Sequence, residues 1–70
     1  MKRVWLANLR ASTGKMQKDV ADSAGISQPA YSSIEAGTKS PTVETAKRIA
    51  AVLGFDWTRF FEEPSSGNSD

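Results

Sequence analysis

The chain has 70 residues, a formal net charge of +1, and neither cysteine nor histidine. A chain of this length builds one domain with a single core, and the absent residue types exclude disulfides, the usual zinc ligands and histidine-based catalysis. No apolar run is long enough to cross a membrane or to form a secretory signal, so we expect a cytoplasmic protein that needs no metal or cofactor.

Charge is distributed unevenly along the chain. The first 18 residues carry five basic and no acidic side chains, whereas the stretch 56–70 carries four acidic side chains and one arginine. This asymmetry is typical of a basic docking face set apart from an acidic tail, although ordinary solvated charges could segregate in the same way.

The chain is predicted to be all-α, because apolar residues recur at helical spacing and no segment alternates with period two. Four glycines each follow a helical stretch and divide the chain into five segments: Gly14, Gly25, Gly37 and Gly54. The first helix is predicted at about 2–12. Its buried stripe is predicted to hold Leu6, Leu9 and Thr13, extended by Val4 or Trp5.

The second helix, at about 17–24, is short and turns three apolar side chains inward: Val20, Ala21 and Ala24. The third helix begins after Ser27, a good N-cap residue, tolerates Pro29 in its first turn and runs to Ala36. Its inward-facing residues are predicted to be Ala30, Tyr31 and Ile34.

The fourth helix is predicted to open after Thr42, its cap, and to end near Gly54. Its inward residues are Val43, Ala46, Ile49, Ala50 and Leu53. A last helix of one to two turns follows the cap Asp56 and reaches about Phe61. Residues 64–70 hold no apolar side chain to bury, so we expect one domain over 1–63 and a disordered tail over 64–70.

The second and third helices are joined by a short connection at Gly25 and Ile26, and helices joined so tightly must cross at a steep angle. Ala21 is small enough to lie where they touch. The runs Gln17-Lys18-Asp19-Val20-Ala21, Gly25-Ile26-Ser27-Gln28 and Ile34-Glu35-Ala36-Gly37 resemble the Cro/repressor-type (XRE) helix-turn-helix family. The resemblance continues through the run 40–50 and Leu53-Gly54, so it covers the chain from about Leu6 to Phe61.

This resemblance implies a compact five-helix domain like that of lambda repressor, with the helix-turn-helix motif at about 17–36. It also implies a sequence-specific DNA-binding transcriptional regulator of bacterial or phage type, a repressor more than an activator. In the family the second helix lies across the DNA backbone, and the recognition helix, here about 28–36, enters the major groove.

The family's DNA contacts carry over to two sets of residues. The predicted base contacts are Ser27, Gln28, Pro29, Ser32 and Ser33. Gln28 is the first choice among them, because a side-chain amide can both accept from and donate to adenine, while Ser27 is equally suited to capping the helix. The predicted phosphate contacts are Gln17, Thr38, Lys39 and Ser40.

A structural ion pair is also implied, since the family joins an arginine of the first helix to the acid that matches Glu35. Here that arginine is Arg10. The chain departs from the family ahead of Gln17, where Lys15 and Met16 replace an apolar residue and a Ser or Thr cap. We therefore expect a poorly capped second helix, with Met16 supplying the missing apolar contact.

One recognition helix reads few base pairs, so we expect a homodimer on a pseudo-palindromic operator. The aromatic cluster near the C-terminus must partly fill the core, and Trp57 and Phe61 are the members predicted to be exposed at a dimer contact. The alternative is a helical protein-interaction or antitoxin-like module with the same fold. An enzyme is disfavoured, because the chain lacks histidine and cysteine and is too short to line a cleft.

Overall fold

A computed structural model describes residues 2–62. Over this range the chain forms four α-helices and one 3-10 helix: α1 (Val4–Ser12), α2 (Gln17–Ala24), α3 (Gln28–Ala36), α4 (Val43–Leu53) and the 3-10 helix (Trp57–Phe61). The all-α class is confirmed, with no strand among the described residues. The fifth predicted helix is a 3-10 helix. The tail predicted at 64–70 lies outside the described residues.

Helices α3 and α4 begin where a capping side chain satisfies one of their first N–H groups. The Ser27 hydroxyl accepts from the Ala30 N–H at 3.2 Å, and the Thr42 hydroxyl accepts from the Thr45 N–H at 3.2 Å. At the start of α2 the Asp19 carboxylate instead reaches back to the Met16 N–H at 3.0 Å. The expected apolar contact of Met16 is wrong, because its side chain is exposed.

The core is shared by every helix. Its buried apolar residues are Leu6, Val20, Ala21, Ala24, Tyr31, Ile34, Ala46, Ile49, Ala50, Leu53 and Phe60. Thr13 and Val43 were predicted to be buried but are exposed, and of the two alternatives Val4 and Trp5 it is Trp5 that packs against the core while Val4 is exposed. Val4 and Val43 are the first residues of α1 and α4, and Thr13 follows the end of α1. Helix ends project past the elements that cover the middle of each helix.

The packing leaves one side of α3 open. α2 packs against both α3 and α4, α1 contacts α3, and the 3-10 helix packs against α4. Three rings, those of Trp5, Phe55 and Phe60, meet edge to face with centroids 5.2–5.5 Å apart and close the core beside α1. The inner face of α3 is thus fixed by Tyr31 and Ile34, while its outer face points away from the domain.

Candidate nucleic-acid interface

The outer face of α3 holds the residues that were predicted to read bases. Ser27, Gln28 and Pro29 are exposed at its N-terminal end, and Ser32 and Ser33 are half-buried further along it. Gln28 borders a shallow groove that it shares with Gln17 and Lys18 of α2, Met16 and Arg10. The structure thus brings the first residues of the two motif helices together on one surface.

Ser27 has its hydroxyl oxygen engaged as the N-cap of α3, through the bond from the Ala30 N–H. A hydroxyl can accept one hydrogen bond and donate another. The capping role is therefore observed, and the hydroxyl proton can still be donated to an outside acceptor.

The predicted phosphate contacts lie in two places. Gln17 starts α2 and is half-buried, whereas Thr38, Lys39 and Ser40 are exposed in the loop after α3. This loop folds back on the helix, because the Thr38 and Lys39 N–H groups both donate to the Ser33 carbonyl, at 3.0 and 3.3 Å. The Thr38 hydroxyl donates to the same oxygen at 3.2 Å.

The Glu35 carboxylate connects α1, α2 and α3. Arg10 Nε donates to Glu35 Oε2 at 2.7 Å, and Arg10 Nη2 donates to Oε1 at 3.3 Å. The Gln17 amide donates to Oε1 at 2.9 Å, and the Tyr31 hydroxyl donates to Oε2 at 2.8 Å. The side chain of Glu35 is only 7% exposed and that of Arg10 21% exposed. The ion pair is therefore largely shielded from water.

This network shifts the titration of its members. Burial by itself would raise the pKa of the Glu35 carboxyl, but hydrogen bonds from Arg10, Gln17 and Tyr31 outweigh burial and hold that pKa below its usual range. Burial and the bond to Glu35 raise the pKa of the Tyr31 hydroxyl. The bond to Glu35 likewise raises the pKa of Arg10. At neutral pH the carboxylate stays charged and the phenol stays neutral.

Gln17 differs from the prediction in one respect, since its amide nitrogen already donates to Glu35. The residue that was predicted to touch a phosphate is therefore held in place by Glu35 of α3. The spacing of Gln17 and Glu35 in the sequence gives no sign of this contact, because the two residues lie on different helices and their helical faces are set by the fold.

Arg3 was grouped with the basic surface residues, but it is 5% exposed. Its Nη1 donates to the Ile34 carbonyl at 2.6 Å and to the Lys39 carbonyl at 2.9 Å. Its backbone N–H donates to the Glu35 carbonyl at 2.9 Å. Sequence reasoning missed this role, since a basic residue just before a helix has no local pattern that distinguishes a buried side chain from a solvated one.

The two aromatic residues predicted at a dimer contact lie side by side on the 3-10 helix. Trp57 is half-buried against the core, with the Lys47 ammonium 5.2 Å from its ring centroid. Phe61 is 46% exposed and meets Trp57 edge to face at 6.0 Å. Phe60 between them fills the core. Within residues 2–62 no helix is both long and apolar enough to cross a membrane.

Comparison with known proteins places this geometry in a family. The model of the helix-turn-helix family matches residues 6–60. The uncharacterised HTH-type transcriptional regulator YqaF of Bacillus subtilis is 46% identical over 63 residues, which cover 90% of this chain and 83% of YqaF. The HTH-type transcriptional regulator PuuR of Escherichia coli is 32% identical over 59 residues, which cover 84% of this chain but 32% of PuuR.

No solved structure matches the chain at a significant level. The family match spans every helix described above, and it favours DNA binding over both a protein-interaction module and an enzyme. The chain belongs to the Cro/repressor type of the helix-turn-helix family of DNA-binding transcriptional regulators.

Proposed function

We propose that the chain is a sequence-specific repressor whose helix α3 enters the major groove of an operator. The observation that carries this proposal is the position of Gln28, exposed at the outer end of a helix whose inner side is fixed by the Glu35 network. A reading helix must be rigid as well as exposed, since base contacts depend on positions fixed by the scaffold and by phosphate contacts.

The base-reading surface is formed by the exposed face of α3. The Gln28 amide has the donor and acceptor needed to pair with the N6 and N7 atoms of adenine. Ser27, Ser32 and Ser33 supply small hydroxyl groups beside it, and Pro29 supplies an apolar surface suited to a thymine methyl group. This surface lacks arginine and lysine, so adenine and thymine are better matched to it than guanine.

The phosphate-contacting surface flanks the reading surface on both sides. The Gln17 amide uses one hydrogen for Glu35. Its second hydrogen and the N–H groups at the start of α2 are proposed to bind a phosphate oxygen. On the other side, Lys39 supplies a positive charge and Ser40 supplies a hydroxyl group. The Thr38 hydroxyl donates to the Ser33 carbonyl and must release that bond to donate to a phosphate oxygen. Contacts of this kind fix the register of the protein on the duplex.

The operator is proposed to be a pseudo-palindrome that binds two copies of the chain. A helix of nine residues reaches only a few base pairs, and two copies about one helical turn apart supply the remaining specificity. Phe61 and Trp57 are proposed to form the contact between the copies, because Phe61 is the exposed large aromatic residue among those described.

The proposal is tested by selecting binding sites from a random duplex pool and titrating salt against the best site. Each phosphate contact contributes a slope of about −0.9 to log Kobs against log salt concentration. Lys39→Ala should weaken binding to all sequences alike and flatten the slope by about 0.9 for each bound copy, or about 1.8 for the complex of two copies. Arg48→Ala is the matched control, since Arg48 pairs with Glu44 on the surface of α4 and belongs to neither proposed contact set, and it should leave the slope unchanged.

The same selection distinguishes DNA binding from a protein-interaction role. Enrichment of a palindromic sequence supports the proposal. A pool without any enriched sequence, together with weak binding even at low salt, would contradict it and would direct the search to a protein partner.

A further inference from the structure

Arg3, near the start of the chain, hydrogen-bonds both the C-terminal end of α3 and the loop after it. The last carbonyl groups of a helix have no partners within the helix. Here the Ser33 carbonyl accepts from the loop N–H groups of Thr38 and Lys39, and the Ile34 and Glu35 carbonyls accept from Arg3. Arg3 therefore completes the end of the proposed recognition helix.

The guanidinium also reaches past the helix into the loop. Arg3 Nη1 donates both to Ile34 in α3 and to the Lys39 carbonyl. The guanidinium also lies over Phe60, whose ring centroid is 5.5 Å from Arg3 Cζ. The guanidinium plane lies over the ring and fixes the directions of both Nη1 hydrogens, whereas a lysine ammonium rotates freely and has no plane to stack.

We infer that Arg3 is a positioning residue for DNA binding, which fixes the Lys39 backbone relative to α3. This inference rests on the proposed function, in which Lys39 contacts a phosphate and α3 reads bases. Arg3 is too deeply buried to touch DNA itself. It acts by setting the distance between the phosphate-binding loop and the reading helix, so that both engage the duplex in one register.

The inference predicts that the contribution of Lys39 depends on Arg3. Arg3→Lys retains the positive charge and removes the two-carbonyl geometry, so the long-range attraction to DNA is unchanged. The experiment measures binding to the selected site at several salt concentrations for the wild type, Lys39→Ala, Arg3→Lys and the double variant. Arg59→Lys is the matched control, because Arg59 is an exposed arginine that lies over the Trp5 ring.

In the wild-type background, Lys39→Ala should flatten the salt slope by about 0.9 for each bound copy. In the Arg3→Lys background, Lys39→Ala should change the salt slope little, because Lys39 is already displaced from the phosphate. Arg59→Lys should leave the effect of Lys39→Ala intact. In the unbound protein, Arg3→Lys should also speed hydrogen exchange of the Lys39 N–H at least tenfold, because the loop opens more often when its carbonyl anchor is lost.

Each outcome decides the inference. Equal flattening by Lys39→Ala in both backgrounds overturns the role of Arg3 while leaving the proposed phosphate contact in place. No flattening in the wild-type background overturns the phosphate contact and the positioning role together. Should Arg3→Lys fail to fold, nuclear magnetic resonance of the wild type decides. Slowly exchanging, separately resolved Arg3 Nη protons before and after DNA binding support the inference, and rapidly averaged protons overturn it.

Discussion

Replacing Glu35 by alanine should destabilise the domain far more than replacing an exposed glutamate. Glu35→Ala removes the acceptor for Arg10, Gln17 and Tyr31 at once. The phenol of Tyr31 is fully buried and has no route to water, whereas Arg10 keeps partial access to solvent. Tyr31 and Arg10 therefore contribute different amounts to the loss of unfolding free energy.

The magnitude follows from these exposures. A buried donor that loses its partner costs about 1–3 kcal/mol, which applies to Tyr31. Breaking a fully buried ion pair costs about 3–5 kcal/mol, and the solvent access of Arg10 reduces its share to roughly 1–2 kcal/mol. The two ranges sum to about 2–5 kcal/mol. A loss of about 3 kcal/mol, near the middle of that range, is a large part of the roughly 3–10 kcal/mol expected for a chain of this size. The melting temperature should fall by about 12–24 °C.

Urea unfolding followed by circular dichroism measures this loss. Glu44→Ala is the matched control, because Glu44 pairs with Arg48 on the surface of α4 and is 74% exposed. Its loss should cost less than about 1 kcal/mol. A loss under about 1 kcal/mol for Glu35→Ala, or equal losses for the two variants, would refute the reasoning from burial.

Three further changes have defined outcomes. Folding lowers the pKa of Glu35, so the stabilisation by its carboxylate is complete above the usual pH range of glutamate titration and is lost as pH falls. In urea titrations the unfolding free energy of the wild type should therefore fall more than that of Glu35→Gln between about pH 5 and pH 3. Gly25→Ala and Gly54→Ala should each lower the unfolding free energy by about 1–2 kcal/mol in thermal melts, because both glycines have positive φ. The Arg48 guanidinium beside Gly25 can move aside, and a much larger loss at Gly25 would show that it is rigid. Phe61→Asp should leave the unfolding free energy within about 0.5 kcal/mol and abolish paired binding to a palindrome in sedimentation experiments, whereas retained pairing would remove Phe61 from the dimer contact.

The helix boundaries could be predicted because their signals are local. Ser27 and Thr42 cap the helices they were expected to cap, and Gly25 and Gly37 take the left-handed conformation that ends α2 and α3. The 3-10 geometry of the last element could not be predicted. Five residues after the Asp56 cap fit either an α-helical turn or a 3-10 helix, since only the hydrogen-bond register distinguishes the two.

Contacts between segments that are distant in sequence could not be predicted from the spacing of residues along the chain. The contact of Arg10 with Glu35 joins residues 25 apart in sequence, and only the family resemblance suggested it. Arg3 donates to the carbonyls of Ile34 and Lys39, which are 31 and 36 residues away in sequence, and no sequence motif predicts its burial. The exposure of Val43 likewise depends on which elements happen to cover the first turn of α4.

The central claim is that Gln28 reads a base in the major groove, and atomic substitution in the DNA tests it most directly. Each adenine of the selected site is replaced in turn by 7-deazaadenine, which lacks the N7 acceptor of the major groove. We expect one adenine at which this change costs the wild type about 1–3 kcal/mol, or roughly 5- to 150-fold in affinity, and costs Gln28→Ala almost nothing. Equal losses for both proteins at every adenine, or no loss at any of them, would contradict it.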